Sequence, residues 1–160
     1  MSRWPILAAA VAGMAAALSL APAMARAEPR ASEVRPGMSV RTLFLLRCAG
    51  CHGAEGAGAS TAGVPDFRNS VGRLARDEGG RLYMLHVPGV VGSGLDDRQK
   101  AEVMNYILTR WGDGPPARPF TSEEVAHLRE QSVPDVVALR RSLVRALAKK
   151  GVKVAEYPWP

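Results

Sequence analysis

A chain of 160 residues carries 21 Lys and Arg against 15 Asp and Glu, a formal charge of +6 at pH 7. That balance is too slight to argue for nucleic-acid binding. The length suits one domain of ordinary size. Neither an internal repeat nor a second long apolar span follows the N-terminal one.

At the N-terminus Arg3 precedes an uncharged apolar run over residues 6–20, and the run gives way to Ala21-Pro22-Ala23-Met24-Ala25-Arg26-Ala27. A positive start, an apolar stretch and small residues in A-x-A spacing describe a secretory signal peptide, cleaved after Ala25 or Ala27. The run is shorter than the ~20 residues of a membrane span, which leaves an uncleaved anchor as the lesser alternative. Residues 1–27 are read as this signal. Without them Arg3 and Arg26 are gone, and 19 basic side chains face 15 acidic ones, a net +4.

Residues 28–36 are a polar leader. From Ser39 the apolar positions Val40, Leu43 and Phe44, with Arg47, recur at i, i+3, i+4 and i+7, which predicts a helix running straight into Cys48. There the chain reads Cys48-Ala49-Gly50-Cys51-His52, and it has no other cysteine. A C-x-x-C-H pentapeptide is the signature of covalent haem attachment. Two thiols three residues apart leave one helical turn together and add across the two vinyl groups of a haem, and His52 then offers an imidazole nitrogen to the iron. Zinc would need a fourth ligand, and neither His86 nor His127 stands in a knuckle that supplies one. A thioredoxin-like dithiol expects a strand before the motif, whereas these flanks read helical. Haem attachment happens outside the cytoplasm, so the export signal and the pentapeptide agree.

Beyond His52 a glycine-rich loop, 53–63, can lie close to a flat ring, and Val64-Pro65-Asp66-Phe67 follows. Val71, Leu74, Leu82 and Leu85 suggest two short helices over 69–86, broken at Gly79-Gly80 and ended by His86-Val87-Pro88-Gly89. A second loop, 89–94, leads to Asp96-Asp97 as an N-cap. The helix it opens carries Val103, Met104, Ile107, Leu108 and Trp111 on one face, with Tyr106 beside them.

Both ends of this region resemble class I c-type cytochromes: LFLLRCAGCHG is similar to their N-terminal helix and haem-binding turn, and LDDRQKAEVMNYIL to their closing helix. The resemblance covers about residues 38–111 and makes 28–111 a cytochrome c domain holding one haem c through Cys48 and Cys51. It implies that Phe44 packs on the closing helix. It also implies that the Pro65 carbonyl accepts from His52 Nδ1–H, fixing the tautomer and strengthening the ligand; by itself Pro65 is an ordinary turn proline. The pattern departs at the sixth ligand. Where the family carries Met-Pro, this chain has Val87-Pro88, and valine cannot ligate iron. His86 is the first candidate, followed by Met84, by Met104 (otherwise a core residue), and by an open site. Methionine would give a higher potential than a second histidine, and an open iron would admit ligands.

The breaker-rich stretch 112–120 reads as a linker. After it, 121–160 reads as a helical extension. Thr121-Ser122-Glu123-Glu124 is a capping box opening a helix to about Gln131. A second helix starts at Ser132-Val133-Pro134-Asp135, with Pro134 in its first turn, and is stopped by Gly151. Val136, Leu139, Leu143 and Leu147 form its stripe, and Arg140, Arg141, Arg145, Lys149 and Lys150 crowd the rest. Such a helix lies on the core with its charges in water, docks on a redox enzyme, or touches a membrane surface. Tyr157-Pro158-Trp159-Pro160 packs back or anchors a partner.

The expected fold is all-α: a small helical core around one haem, extended by about two helices. The expected function is single-electron transfer in the periplasm, with a dehydrogenase or oxidase as partner. Two alternatives stand beside it, a haem subunit of a larger oxidoreductase and an open-site haem catalyst or gas sensor.

Overall fold

The computed structural model describes residues 37–155. The signal-peptide reading of 1–27, the leader 28–36 and the tail Tyr157-Pro158-Trp159-Pro160 lie outside the described residues. The all-α expectation holds: the described residues form eight α-helices and one 3₁₀ turn at Ser60–Ala62, with a single isolated β-bridge between Ala59 and Val64.

Helix α1, Val40–Arg47, begins where Ser39 turns extended and its Oγ accepts from Thr42 N at 3.2 Å. Cys48 interrupts it at φ −125°, and the short α2, Ala49–His52, follows at once. The long α6, Asp97–Trp111, opens with a complete capping box: Asp96 accepts from Gln99 N, and Gln99 Oε1 accepts from Asp96 N. α1 packs against α6 through Phe44, which is fully buried between Tyr106 and Trp111 at ring-centroid distances of 5.6 and 5.1 Å. Burying one such ring stabilises by roughly 1.5–3 kcal/mol, more with tilted aromatic neighbours.

Between α1 and α6 come α3 (Val71–Ala75), α4 (Glu78–His86) and α5 (Pro88–Val91). The break between α3 and α4 falls at Arg76-Asp77, and not at the expected Gly79-Gly80. Asp77 caps α4 by accepting from Gly80 N at 3.2 Å, which leaves both glycines inside the first turn. Gly80 has a packing reason instead: a Cβ there would stand 2.0 Å from Leu74 O, so only glycine lets α4 fold back this closely on α3. The expected loop 89–94 is also shorter, because Pro88 starts α5. Its ring fixes φ for the first helical position, where no N–H is needed.

Helices α7, Ser122–Glu130, and α8, Val136–Lys149, lie on the core: α7 against α6 and α4, α8 against α4. Thr121 makes half of its capping box, accepting from Glu124 N. The Glu124 carboxylate turns instead to Arg81, at 2.5 and 2.6 Å. Pro134 precedes α8 and is not within it; Asp135 is the cap, accepting from Val137 N and Ala138 N at 2.9 Å. Prolines and glycines stop helix over 112–120 without freeing the chain. Arg76 Nη1 donates to Asp113 O and Pro115 O, Arg81 to Arg118 O and Pro119 O, and Asn105 brackets Phe120 from both sides of its amide. Phe120 is buried beneath the Arg81 guanidinium, 3.7 Å from its ring centroid. At the C-terminal side Gly151, at φ +73°, reverses the chain, and Ala155 N donates to Ser70 Oγ at 3.0 Å.

Candidate functional site

A cavity of about 320 Å³ opens inside this bundle, its walls mostly apolar. Cys48, Cys51 and His52 stand at one side, and the Gly63–Phe67 stretch carries the wall onward from them. α3 and α4 add Val71, Leu74, Tyr83 and Met84. α6 adds Lys100, Val103, Met104 and Ile107. Val87, Pro88 and Val90 close it on a further side.

The pentapeptide occupies one helical turn because Cys48 O accepts from both Cys51 N (3.2 Å) and His52 N (3.0 Å). That turn presents the two sulfurs and the imidazole together. Burial pushes the Cys48 thiol up to about 11, and the neighbouring Cys51 adds to the shift. Burial pulls the His52 imidazole below its usual value, while the Pro65 backbone works in the opposite direction. Proline has no N–H, so the group acting on His52 is the Pro65 carbonyl. His52 Nδ1 is buried yet makes no hydrogen bond of ordinary geometry. The ring is stacked on Phe67, with centroids 4.1 Å apart and planes inclined by 21°, and Phe67 in turn leans on Trp111.

The glycines after His52 serve this arrangement in a way their number alone does not reveal. Gly56, at φ +67°, lies on the Trp111 and Phe67 rings, and a Cβ would come within 2.9–3.0 Å of them. Gly58, at φ +68°, lies on the backbone of Val64 and Pro65, where a Cβ would meet both carbonyl oxygens at 2.5 Å. The close approach is to protein that supports the imidazole.

Of the sixth-ligand candidates, Met84 and Met104 line the cavity and are both buried. His86 does not line it. Its Nδ1 faces Leu82 O at 2.8 Å and its Nε2 faces Gln131 O at 2.9 Å, which engages both ring nitrogens between α4 and the end of α7. Position 86 falls on the opposite side of α4 from Met84, since two residues turn a helix by about half a circle.

Sequence reasoning missed a wall. Val136, Val137 and Arg140 of α8 also line the cavity, and Arg140, expected among the solvated charges, is only 3% exposed. The spacing held the clue. Arg140 stands four residues after Val136 and three before Leu143, and so on the apolar stripe.

Two thiols and an imidazole on one turn, at the side of a deep apolar cavity, with a buried ring nitrogen awaiting a better bond, are a donor set and a shape that fit a covalently held haem. Fold and site thus define a small helical haem-binding protein. The cytochrome c family model matches residues 38–111. Two forms of cytochrome c-552 from Thermus thermophilus are each 33% identical over 123 residues, a match covering 62% of this chain and 93% and 82% of the relatives. No solved structure matches. The chain belongs to the class I c-type cytochromes, electron-transfer proteins whose cofactor is haem c, held here through Cys48 and Cys51.

Proposed function

We propose that this chain is an exported, periplasmic electron carrier in which His52 is the proximal iron ligand and Met84 or Met104 the distal one. The haem supplies a one-electron ferric/ferrous couple when bound. Cys48 and Cys51 tether it, and the Pro65 carbonyl orients the His52 ring and makes its other nitrogen a better donor. The apolar walls exclude water, which lowers the local dielectric and favours the less charged, reduced state. One observation carries this reading: a single cavity gathers the pentapeptide and two buried thioethers and leaves His86 outside. The signal-like N-terminus supports export, and a redox enzyme of the periplasm, a dehydrogenase or an oxidase, is the partner class that such a carrier serves. The wider arrangement of 28–111 as a cytochrome domain followed by an extension is part of the same proposal.

Absorption of the purified protein, ferric and ferrous, with and without carbon monoxide, tests the proposal. The expected spectra are low-spin, indifferent to carbon monoxide, with a methionine–iron charge-transfer band in the near infrared. That band should vanish in one of Met84→Ala and Met104→Ala and survive in the other. A low-spin spectrum without the band would return the role to His86. High-spin ferric iron with prompt carbon monoxide binding would refute electron carriage through a closed site. Haem staining of the periplasmic fraction checks export.

A further inference from the structure

The site just described ends in a residue that the matched region, 38–111, does not contain. We propose that Arg140, carried by α8, sets the reduction potential of the haem site as a buried, fixed cation in the cavity wall. Four observations converge on it. Arg140 lines the same cavity as Cys48, Cys51 and His52, and it is 3% exposed. Its Nη2 donates to Ala155 O at 2.7 Å. Ala155 N is held in turn by Ser70 Oγ, and Ser70 is itself a buried residue of the cavity wall. The guanidinium also faces the Tyr83 ring, 5.3 Å from its centroid. The chain doubles back after Gly151 and locks this one side chain in place.

The physics is a charge balance. Reduction adds one electron to the site and lowers its net positive charge by one. A fixed cation in an apolar, poorly screened cavity therefore stabilises the reduced state over the oxidised one. The other charged side chains in the wall are less suited. Asp66 is paired with Arg68 toward solvent. Lys100 holds its proton less tightly than usual, chiefly through burial and then through Arg129, against the pull of Asp97 and Asp96. Arg47, next to Cys48, is only partly buried. A guanidinium stays charged when buried, so Arg140 acts as a constant field. Arg141, next in sequence, is exposed, and water and salt screen it.

The inference rests on the haem site read above, and the experiment separates the two. Midpoint potentials are measured by spectroscopic redox titration for the haem-loaded wild type, Arg140→Gln, Arg140→Lys, Val137→Glu and Arg141→Gln. Val137 shares the cavity face with Arg140 one turn earlier, so a glutamate there neutralises the cation without removing it. The expected result is a lower potential for Arg140→Gln and for Val137→Glu, near wild-type potential for Arg140→Lys, and no shift for Arg141→Gln. Wild-type potential in Arg140→Gln, or equal shifts in Arg140→Gln and Arg141→Gln, would overturn the proposal. If Arg140→Gln does not load haem, Arg140→Met decides by the same criterion. Failure of the wild type itself to bind haem would sink the site reading instead.

Discussion

Arg81 joins α4 to α7 through Glu124, and the loss of that pairing can be worked from the structure. Its side chain is 1% exposed, it donates to the carbonyls of Ala75, Arg118 and Pro119, and its charge is met by Glu124, whose carboxylate is 13% exposed. Among the described residues, replacing Glu124 with alanine removes the one anion facing this buried guanidinium, since the three remaining partners are neutral carbonyls. An uncompensated buried charge of this kind costs about 3–5 kcal/mol. At the usual sensitivity of a domain this size, that is a drop in Tm of roughly 10–20 °C. Thermal and urea unfolding of the haem-loaded protein, followed by far-ultraviolet circular dichroism, would measure it. The pairing of Arg81→Met with Glu124→Leu should recover part of the loss, because no charge is then left buried, but not all of it, because three carbonyls lose their donor. A cost below about 1 kcal/mol for Glu124→Ala would refute the view that this pair fastens α7 to α4.

The same carboxylate predicts a pH dependence. Burial works to raise its pKa, but the Arg81 and Arg118 contacts outweigh burial and hold it below the ordinary 4.5. A folded pKa depressed in this way gives stability that is present above 4.5 and lost as pH falls through the folded value. Wild-type stability should therefore decline in acid more steeply than that of Glu124→Gln, as paired urea titrations would show. Gly58→Ala puts a Cβ at 2.5 Å from two carbonyls and forces a left-handed φ, so it should cost more than the roughly 1 kcal/mol of a left-handed alanine and reduce haem loading. Gly151→Ala, a left-handed position in open space at the end of α8, should cost only about that amount; equal effects would refute the support assigned to Gly58. Phe44→Ala should destabilise by about 3–5 kcal/mol in the same unfolding assay, the usual cost of removing a fully buried aromatic ring.

Local signals settled much of this protein without help from the fold. Ser39, Asp96, Thr121 and Gly151 act within four residues of themselves, so the helix ends they mark are legible in the chain. Cys48, Cys51 and His52 are legible for the same reason, since one turn of backbone holds all three. Elsewhere the local rule named the residue and misjudged its purpose. Gly80 reads as a breaker until Leu74 is found against it, and Pro134 reads as a first-turn proline until Asp135 takes the cap. His86 sits beside the step where a ligand belongs, yet two residues along α4 separate it from the cavity that Met84 faces. Arg140 lies almost a hundred residues after Cys48, and no short-range pattern relates the two. Only the packing of α8 on α4, and the tail returning to Ser70, turn that basic residue inward. What depends on neighbours in sequence was readable there; which side chains share one cavity is set by long-range burial, and only the folded chain decides it.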